Sequence, residues 1–219
     1  MCRREAIWDV FEMAKTTSKK RSTRKANPAR NGVEAALRLA GKMPWNDISL
    51  ADIAAEASVT EDDLRALFPT KLSLLKAYGV QVNEQVATRG TSINMEETIK
   101  DRLFEAVMIR LDVLEKDKDA VANIIRATLT GNPKTMAASA SALRSAMAQL
   151  LDLCGVSSGG LCGQVKLRVL GLIYLKVLRV WLMDDTIDSG KTMASLDKTL
   201  ARADSIMKSL PTIHRRGAR

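Results

Sequence analysis

Side chains that do covalent or metal chemistry are scarce in this 219-residue chain. Its single histidine, His214, lies in a basic C-terminal stretch, so neither a catalytic triad nor a histidine-based metal site is available. The three cysteines, Cys2, Cys154 and Cys162, show no CxxC spacing, and a sparse, odd count is typical of a reducing compartment. No pair of carboxylates stands out as an acid–base couple. We therefore predict a cytoplasmic protein that is not an enzyme and holds no metal or cofactor.

Two glycine-containing stretches bear a partial likeness to nucleotide-binding loops. Residues Gly190-Lys191-Thr192 match the last three positions of a phosphate-binding loop, but Asp185 stands where that loop needs a glycine, and no strand is expected before it. The glycines between Gly155 and Gly163 do not fit the dinucleotide-binding pattern either. We interpret 155–163 as a linker between helices.

Basic residues are concentrated at the two ends of the chain. The net charge is +9, and seven basic residues with no acid lie between Lys15 and Arg30. We predict a disordered basic arm over residues 1–28 and a basic tail over 211–219. Met13 reads as an alternative start, although a short helix carrying Trp8 and Phe11 fits the first residues equally well. Cationic ends of this kind favour an anionic partner such as nucleic acid.

Apolar residues recur every three or four positions along the rest of the chain, which is typical of amphipathic helices. An aromatic content of 4% and only 5 prolines also favour helix packing over a sheet. Ser49, Thr60 and Thr70 are expected as helix N-caps, and Leu64, Leu67 and Phe68 are expected to face a core. Helices are predicted over about residues 29–42, 50–57, 61–68, 71–88, 99–114, 117–130, 133–154, 167–183 and 188–207.

The most apolar of these predicted helices, 167–183, is expected to be buried on two sides. It is interrupted by Arg168, Lys176 and Arg179, so we predict no membrane span. Lys176 and Arg179 are one turn apart. They either line a pocket and meet an anionic head group or reach solvent or acids across an interface, and the second interpretation is favoured.

Residues 48–75 resemble the signature of the TetR family of helix-turn-helix regulators. The resemblance rests on Leu50-Ala51-Asp52-Ile53-Ala54, on the turn before Thr60, and on Phe68-Pro69-Thr70-Lys71. It implies an all-α protein with a three-helix helix-turn-helix head, residues 29–88 including a connecting helix. It also implies a ligand-binding and dimerisation body of about five or six helices, residues 89–210. The function implied is that of a dimeric transcriptional regulator that binds an operator in double-stranded DNA and a small apolar effector.

In that arrangement the third helix lies in the major groove of DNA and its first turn faces the bases. The resemblance assigns DNA binding to the cap residues, the start of the third helix and nearby cations: Lys25, Arg30, Ser49, Thr60, Glu61, Asp62, Arg65 and Lys71. The chain departs from the family between Lys42 and Arg65, where six acids and no basic residue occur. These acids suit a helix N-terminus but oppose the approach of phosphates.

Candidate residues in the body follow from the same resemblance. We predict an apolar ligand pocket lined by Val107, Leu111, Leu129, Met147, Ile173 and Lys176. We predict a homodimer interface between the last two helices, formed by Tyr174, Leu178, Trp181, Met193, Leu196 and Leu200.

A second resemblance leaves an alternative function open. Residues 179–186 and 191–197 resemble the end of the ubiquinone-biosynthesis accessory proteins that share the TetR fold. That resemblance implies a protein that binds a lipid-like ligand in its body and has no role in DNA binding. Asp184, Asp185 and Asp188 then belong to a family motif, whereas the simpler interpretation is a helix exit followed by an N-cap.

Overall fold

A computed structural model describes residues 28–131 and 133–209 of the chain. In these two ranges all of the regular structure is helical and there is no strand, which confirms the all-α prediction. Two 3₁₀ turns occur at Trp45–Asp47 and Gly90–Ser92. The α-helices are α1 Pro28–Ala40, α2 Leu50–Ala57, α3 Glu61–Leu67, α4 Lys71–Arg89, α5 Ile99–Glu115, α6 Lys118–Leu129, α7 Pro133–Leu153, α8 Gly160–Leu182 and α9 Gly190–Ser209.

Side-chain caps start α2, α3 and α4, as predicted. The Ser49 hydroxyl accepts a hydrogen bond from the main-chain N–H of Asp52, and the Asp52 carboxylate accepts one from the N–H of Ser49. Thr70 and Ser73 form the same reciprocal pair at the start of α4, and at the start of α3 the Thr60 hydroxyl accepts a hydrogen bond from the N–H of Asp63. Each cap satisfies a donor that the first turn of a helix leaves unpaired, which fixes where the helix begins.

The first three helices pack around a small core. Val33 of α1, Ile53 of α2 and Leu64 of α3 are each 2% exposed or less. A Cβ atom on Gly32 would lie 2.7 Å from Cδ1 of Leu64, so α1 and α3 approach closely where the glycine has no side chain. The prediction for Leu67 is wrong: its side chain is 48% exposed, because α3 ends there and only Leu64 and the following Phe68 reach the core.

Helices α5 to α9 surround a larger core. It includes Val107, Met147, Leu150, Val177 and Trp181, all 1% exposed or less. Helix α8 begins at Gly160, seven residues before the predicted start at residue 167, so the loop before it is shorter than 155–163. The added turns were not predicted because Leu161 is 88% exposed and contributes no buried position to the pattern.

The end of α7 is set by Gly155, which has a φ of +68°. The N–H of Val156 donates to the carbonyl of Leu151 at 2.8 Å, and the N–H of Gly155 donates to that of Asp152 at 3.0 Å. These two bonds are the Schellman arrangement, and they need a left-handed residue that glycine adopts without steric cost.

The head rests on α6 as well as on α4. The side-chain amide of Asn123 donates to the main-chain carbonyl of Ala40, the last residue of α1, at 2.8 Å. Ala120 and Ala127 of α6 belong to the core of the head, and Tyr78 of α4 packs against both cores. A movement of α6 would therefore be transmitted directly to α1. Within the described ranges, no helix combines the length and the apolarity that crossing a membrane requires.

Candidate functional site

The N-terminal turn of α3 is exposed and acidic. The Asp63 carboxylate accepts a hydrogen bond from the Thr60 hydroxyl at 2.7 Å, and the Glu61 carboxylate forms an ion pair with Arg65. Asp62 is exposed. The one cation of α3 is therefore already partnered by an acid of the same helix, and the surface predicted to meet DNA bases is net negative.

Lys71 does not extend into solvent as a phosphate contact would. Its ammonium donates to the main-chain carbonyls of Trp45 and Ile48, both at 2.6 Å, and lies 4.8 Å from the centre of the Trp45 indole ring. Burial lowers the pKa of Lys71, and the nearby carboxylates Asp47 and Asp52 oppose that shift. The ammonium thus ties the start of α4 to the connection between α1 and α2.

The other predicted DNA-binding residues are engaged locally. The Ser49 hydroxyl donates to the Asp52 carboxylate at 2.6 Å, and this bond lowers the pKa of that carboxyl. Arg30 forms an exposed ion pair with Glu34 at 2.8 Å. Lys25 lies outside the described residues. Ser49 and Lys71 are brought together around Asp52, whereas Arg30 and Arg65 lie on other helices with partners of their own.

The predicted ligand pocket is a packed core rather than an open space. Val107, Leu111 and Met147 are each 1% exposed or less, and Ile173 is 6% exposed. Leu129 is 72% exposed, so the prediction that it lines the pocket is wrong. It is the last residue of α6 and lies beyond the part of that helix that packs on the body. Lys176 is also exposed, and its ammonium lies 3.2 Å from the Thr199 hydroxyl.

An apolar cavity of about 210 Å³ lies instead between α5, α8 and α9. Of the predicted pocket residues only Ile173 lines it, next to Leu103, Leu170 and Leu200. Two cations, Lys100 and Lys166, are also part of its wall. The sequence offered only a weak clue, the apolar positions Leu200 and Ala203 on α9, because a cavity depends on how three helices diverge.

A second, larger cleft of about 880 Å³ separates α1 from α4 and from the turn between α5 and α6. Its wall is polar and carries both signs of charge, including Arg38, Glu84 and Asp119. Tyr78 lines it and donates its hydroxyl proton to the Asp117 carboxylate at 2.9 Å. Burial, together with the negative charge of Asp117, raises the pKa of Tyr78 well above its ordinary value.

Several solved structures have the same architecture. A TetR transcriptional regulator from Nitrosomonas europaea is 21% identical with a TM-score of 0.67, and the match covers 81% of this chain and 98% of that one. A TetR transcriptional regulator from Rhodococcus sp. RHA1 is 19% identical with a TM-score of 0.62, covering 84% and 97%. The chain has the TetR-family fold. No family model matches the sequence, and no curated protein matches it either.

A further match carries a ligand. The TetR-family repressor FadR of Thermus thermophilus, in complex with lauroyl-CoA, is 16% identical with a TM-score of 0.53, and the match covers 87% of this chain and 100% of that one. At these identities the likeness establishes the TetR fold alone. The residues that bind DNA or an effector in this chain therefore depend on its own geometry.

The residues predicted for a dimer interface are mostly buried inside one copy of this TetR fold. Tyr174, Leu178, Trp181, Leu196 and Leu200 are each 8% exposed or less, so assigning them to an interface is wrong. They pack α8 against α9 of the same chain. Trp181 also donates its indole N–H to the Glu115 carboxylate at 2.6 Å. The sixth residue, Met193, is half-buried.

The opposite face of α8 is exposed, contrary to the predicted burial on two sides, and carries four apolar side chains interspersed with Arg168 and Arg179. Leu161, Val165, Leu172 and Leu175 are between 48% and 88% exposed. Their spacing of four, seven and three residues keeps them on one side of the helix. We refer to these four residues as the α8 stripe.

The turn between α8 and α9 is held by one buried carboxylate. Asp184, 2% exposed, accepts hydrogen bonds from the hydroxyl and N–H of Thr186 and from the hydroxyl and N–H of Thr192, at 2.5 to 3.1 Å. These bonds, that of the Thr186 hydroxyl most, hold the pKa of Asp184 well below its usual value. The residues that resemble the accessory proteins thus include a capping network, and Thr192 of Gly190-Lys191-Thr192 is part of it.

Proposed function

We propose that the chain is a dimeric transcriptional regulator, rather than an enzyme, that binds duplex DNA with its head and a small apolar effector with its body. The main support for this proposal is that the basic arm, residues 1–28, joins the head next to α3. Helix α1 starts at Pro28, and Gly32 of α1 lies against Leu64 of α3. A duplex that touches α3 is therefore within reach of the arm.

The arm supplies the charge that α3 lacks. It carries Lys25 and most of the seven basic residues between Lys15 and Arg30, whereas the first turn of α3 carries Glu61 and Asp62. Cations on an N-terminal arm bind phosphates or enter the minor groove beside the site of a recognition helix. We therefore propose that affinity comes mainly from the arm. Thr60, the N-cap of α3, and Arg65 of α3 contribute to base reading. Ser49, Arg30 and Lys71 stabilise the head next to the phosphates.

The effector proposal rests on the cavity between α5, α8 and α9. Its wall is mainly hydrophobic and its volume of about 210 Å³ suits a small apolar molecule or one acyl segment. Another protein with this fold, the Thermus thermophilus repressor, was solved in complex with lauroyl-CoA. The predicted pocket residues Val107, Leu111 and Met147 lie in the adjoining core, so a ligand that enlarged the cavity would meet them.

The dimer proposal rests on the α8 stripe. Its four apolar side chains are exposed in one chain, and repeating apolar residues at this spacing are what helices use to pack against a second helix. A second copy presenting the same stripe would cover it by two-fold symmetry, since an isologous interface uses one surface twice. Met193 of α9 is half-buried in the single chain and joins the proposed interface.

The test is fluorescence anisotropy with labelled duplexes taken from upstream of the protein's own gene, measured over a range of salt concentrations. The expected result is binding whose logarithm falls steeply with the logarithm of salt, with a slope reduced by roughly 0.9 for each arm contact removed. A variant with Lys19, Lys20, Arg21, Arg24 and Lys25 changed to Gln should show this loss. The control is Lys134→Gln with Lys198→Gln, two exposed body residues. No binding to any upstream fragment at low salt contradicts the proposal.

A second candidate function is a lipid-binding accessory protein of the same fold that does not bind DNA. The observation that favours it is the acidic surface of α3 together with the apolar cavity in the body. Native mass spectrometry of the purified protein distinguishes the two candidates. A co-purified isoprenoid lipid in a dimer that binds no duplex supports the accessory protein, whereas a lipid-free dimer that binds DNA excludes it.

A further inference from the structure

One arginine in the core of the body has no counter-ion among the described residues. Arg110 of α5 is 9% exposed, and no carboxylate of the described chain forms an ion pair with it. Its Nη1 donates to the side-chain oxygen of Asn83 at 2.8 Å, but its Nε is buried without a hydrogen-bond partner. An arginine carries its charge at any physiological pH, so a cation is buried here without a carboxylate to pair with it.

A second unsatisfied polar atom lies in the same cluster. The side-chain amide of Gln149 donates to the main-chain carbonyl of Asn83 at 2.7 Å, while its Oε1 is buried without a partner. Arg110 and Gln149 are thus both anchored to Asn83 of α4. The cluster joins α4, α5 and α7, and each of its two outer members keeps one hydrogen-bonding atom unused.

The surroundings of this cluster are apolar and aromatic. The Arg110 guanidinium lies 5.9 Å from the centre of the Tyr174 ring. Val107, one turn before Arg110, and Met147, on the same helix as Gln149, are both fully buried. The carboxylate of Asp117 accepts a hydrogen bond from Tyr78 and forms no ion pair with Arg110.

Burying an unpaired cation is costly, and most buried polar atoms in folded proteins have a partner. A methionine or leucine at position 110 would fill the same space without that cost, because replacing a buried charge by an apolar side chain of similar volume is often stabilising. Strain of this kind is expected where a protein keeps a charge for a ligand. An anion on the ligand would supply both the missing counter-ion and an acceptor for Nε.

We propose that Arg110, held by Asn83 and flanked by Gln149, is the anion-recognition element of the body, and that its ligand is an apolar organic acid bound through the carboxylate. This inference rests on the proposed effector function and names the chemical class of the effector. The carboxylate accepts hydrogen bonds from the guanidinium. Because Val107 and Met147 are packed in the core, the apolar part of the molecule must open a space between them and Ile173, which lines the cavity between α5, α8 and α9. Gln149 Oε1 accepts a hydrogen bond from a water that enters with the ligand.

The probes are sodium octanoate and 1-octanol, which share an eight-carbon chain and differ in charge. Binding to the full-length protein is measured by isothermal titration calorimetry, and the thermal midpoint is followed in parallel. We expect octanoate to bind and to raise the midpoint, and Arg110→Gln to weaken octanoate binding by at least about tenfold, as loss of a charge-assisted contact does. Octanol binding should be equal in the two proteins.

Lys176→Gln is the matched control, since it removes an exposed cation from the body and should leave octanoate binding unchanged. Arg110→Met tests the strain separately: in the absence of any ligand it should unfold at a higher urea concentration than the wild type. If neither Arg110 variant folds, the wild type and Gln149→Leu are compared instead. Tighter binding of octanoate than of octanol to the wild type, with weaker octanoate binding to Gln149→Leu, supports the proposal. Octanoate binding that is absent, equal to octanol binding or unchanged in Arg110→Gln overturns the proposal.

These outcomes are separable from those of the DNA experiment. Octanoate binding that depends on Arg110, in a protein that binds no duplex, supports the anion site and contradicts the regulator. DNA binding in a protein with no preference for octanoate supports the regulator and contradicts the anion site.

Discussion

The Lys71 ammonium donates to the main-chain carbonyl of Trp45 at 2.6 Å and also lies over the indole ring of that residue. The two residues are 26 positions apart, so this contact joins the first turn of α4 to the connection between α1 and α2. A second bond, to the carbonyl of Ile48 at 2.6 Å, fixes the residue next to the N-cap of α2. Lys71 therefore sets the position of α2 relative to α4.

The first prediction concerns this lysine. Lys71→Met should lower the free energy of unfolding by about 1–2 kcal/mol, because two partly buried carbonyls lose a charged donor. Urea denaturation followed by circular dichroism measures the loss. Lys76→Met, an exposed lysine on the same helix, is the control and should change stability by less than about 0.5 kcal/mol. Equal stability of the two variants would show that Lys71 is not structural.

Lys71 also shows what the sequence can and cannot supply about the head. The motif Phe68-Pro69-Thr70-Lys71 located the start of α4 correctly, because caps and prolines act on their immediate neighbours. The use of the lysine was not predictable, since its partners Trp45 and Ile48 are supplied by the fold and not by nearby sequence. Motif spacing thus predicted the positions of α2, α3 and α4 better than the role of a long cationic side chain.

The second prediction concerns the α8 stripe. Leu172→Glu should convert a dimer into a monomer in sedimentation-velocity experiments at micromolar concentration, because a carboxylate would be buried at the two-fold contact. The control is Leu129→Glu, which makes the same chemical change at a leucine that is 72% exposed, compared with 69% for Leu172. Leu129 lies at the end of α6, so this variant should leave the oligomeric state unchanged. A wild type that sediments as a monomer would refute the interface itself.

The same helix explains why interface residues were assigned to the wrong face. The sequence of α8 is apolar on two sides, and apolar periodicity reports burial without distinguishing a neighbour in the same chain from a second subunit. Tyr174 and Trp181 are large and aromatic, which favours them as interface residues, yet they pack on α9 and α5. Likewise, the missing counter-ion of Arg110 is visible only once the helices are packed.

The third prediction concerns Asp184. Asp184→Asn should lower the thermal midpoint, because an amide can accept through only one of its two polar atoms and the four hydrogen bonds from Thr186 and Thr192 need two acceptor oxygens. The exposed neighbour Asp185 provides the control, and Asp185→Asn should leave the midpoint close to that of the wild type. Differential scanning calorimetry at neutral pH measures both variants.

The effect of Asp184 should also depend on pH with a defined sign. Its folded-state pKa lies below the usual 3.8, so the folded protein binds this proton less readily than the unfolded chain does. The stabilisation is fully present above about pH 4 and is lost as the pH falls further. The difference in midpoint between wild type and Asp184→Asn should therefore be constant from pH 7 to 5 and narrow below 3.8. A difference that widened on acidification would contradict the assigned cause.

The last prediction uses two helical glycines with opposite surroundings. A Cβ atom on Gly163, in the first turns of α8, would overlap the main-chain carbonyl of Ser158, whereas a Cβ on Gly79 of α4 would meet nothing within 4 Å. Gly163→Ala must shift the loop before α8 and should cost about 1–3 kcal/mol of stability. Gly79→Ala should add about 0.5–1 kcal/mol, because alanine loses less backbone entropy in a helix. Urea denaturation of both variants checks the signs. A stabilising Gly163→Ala would mean that α8 begins later than Gly160, nearer the predicted start at residue 167.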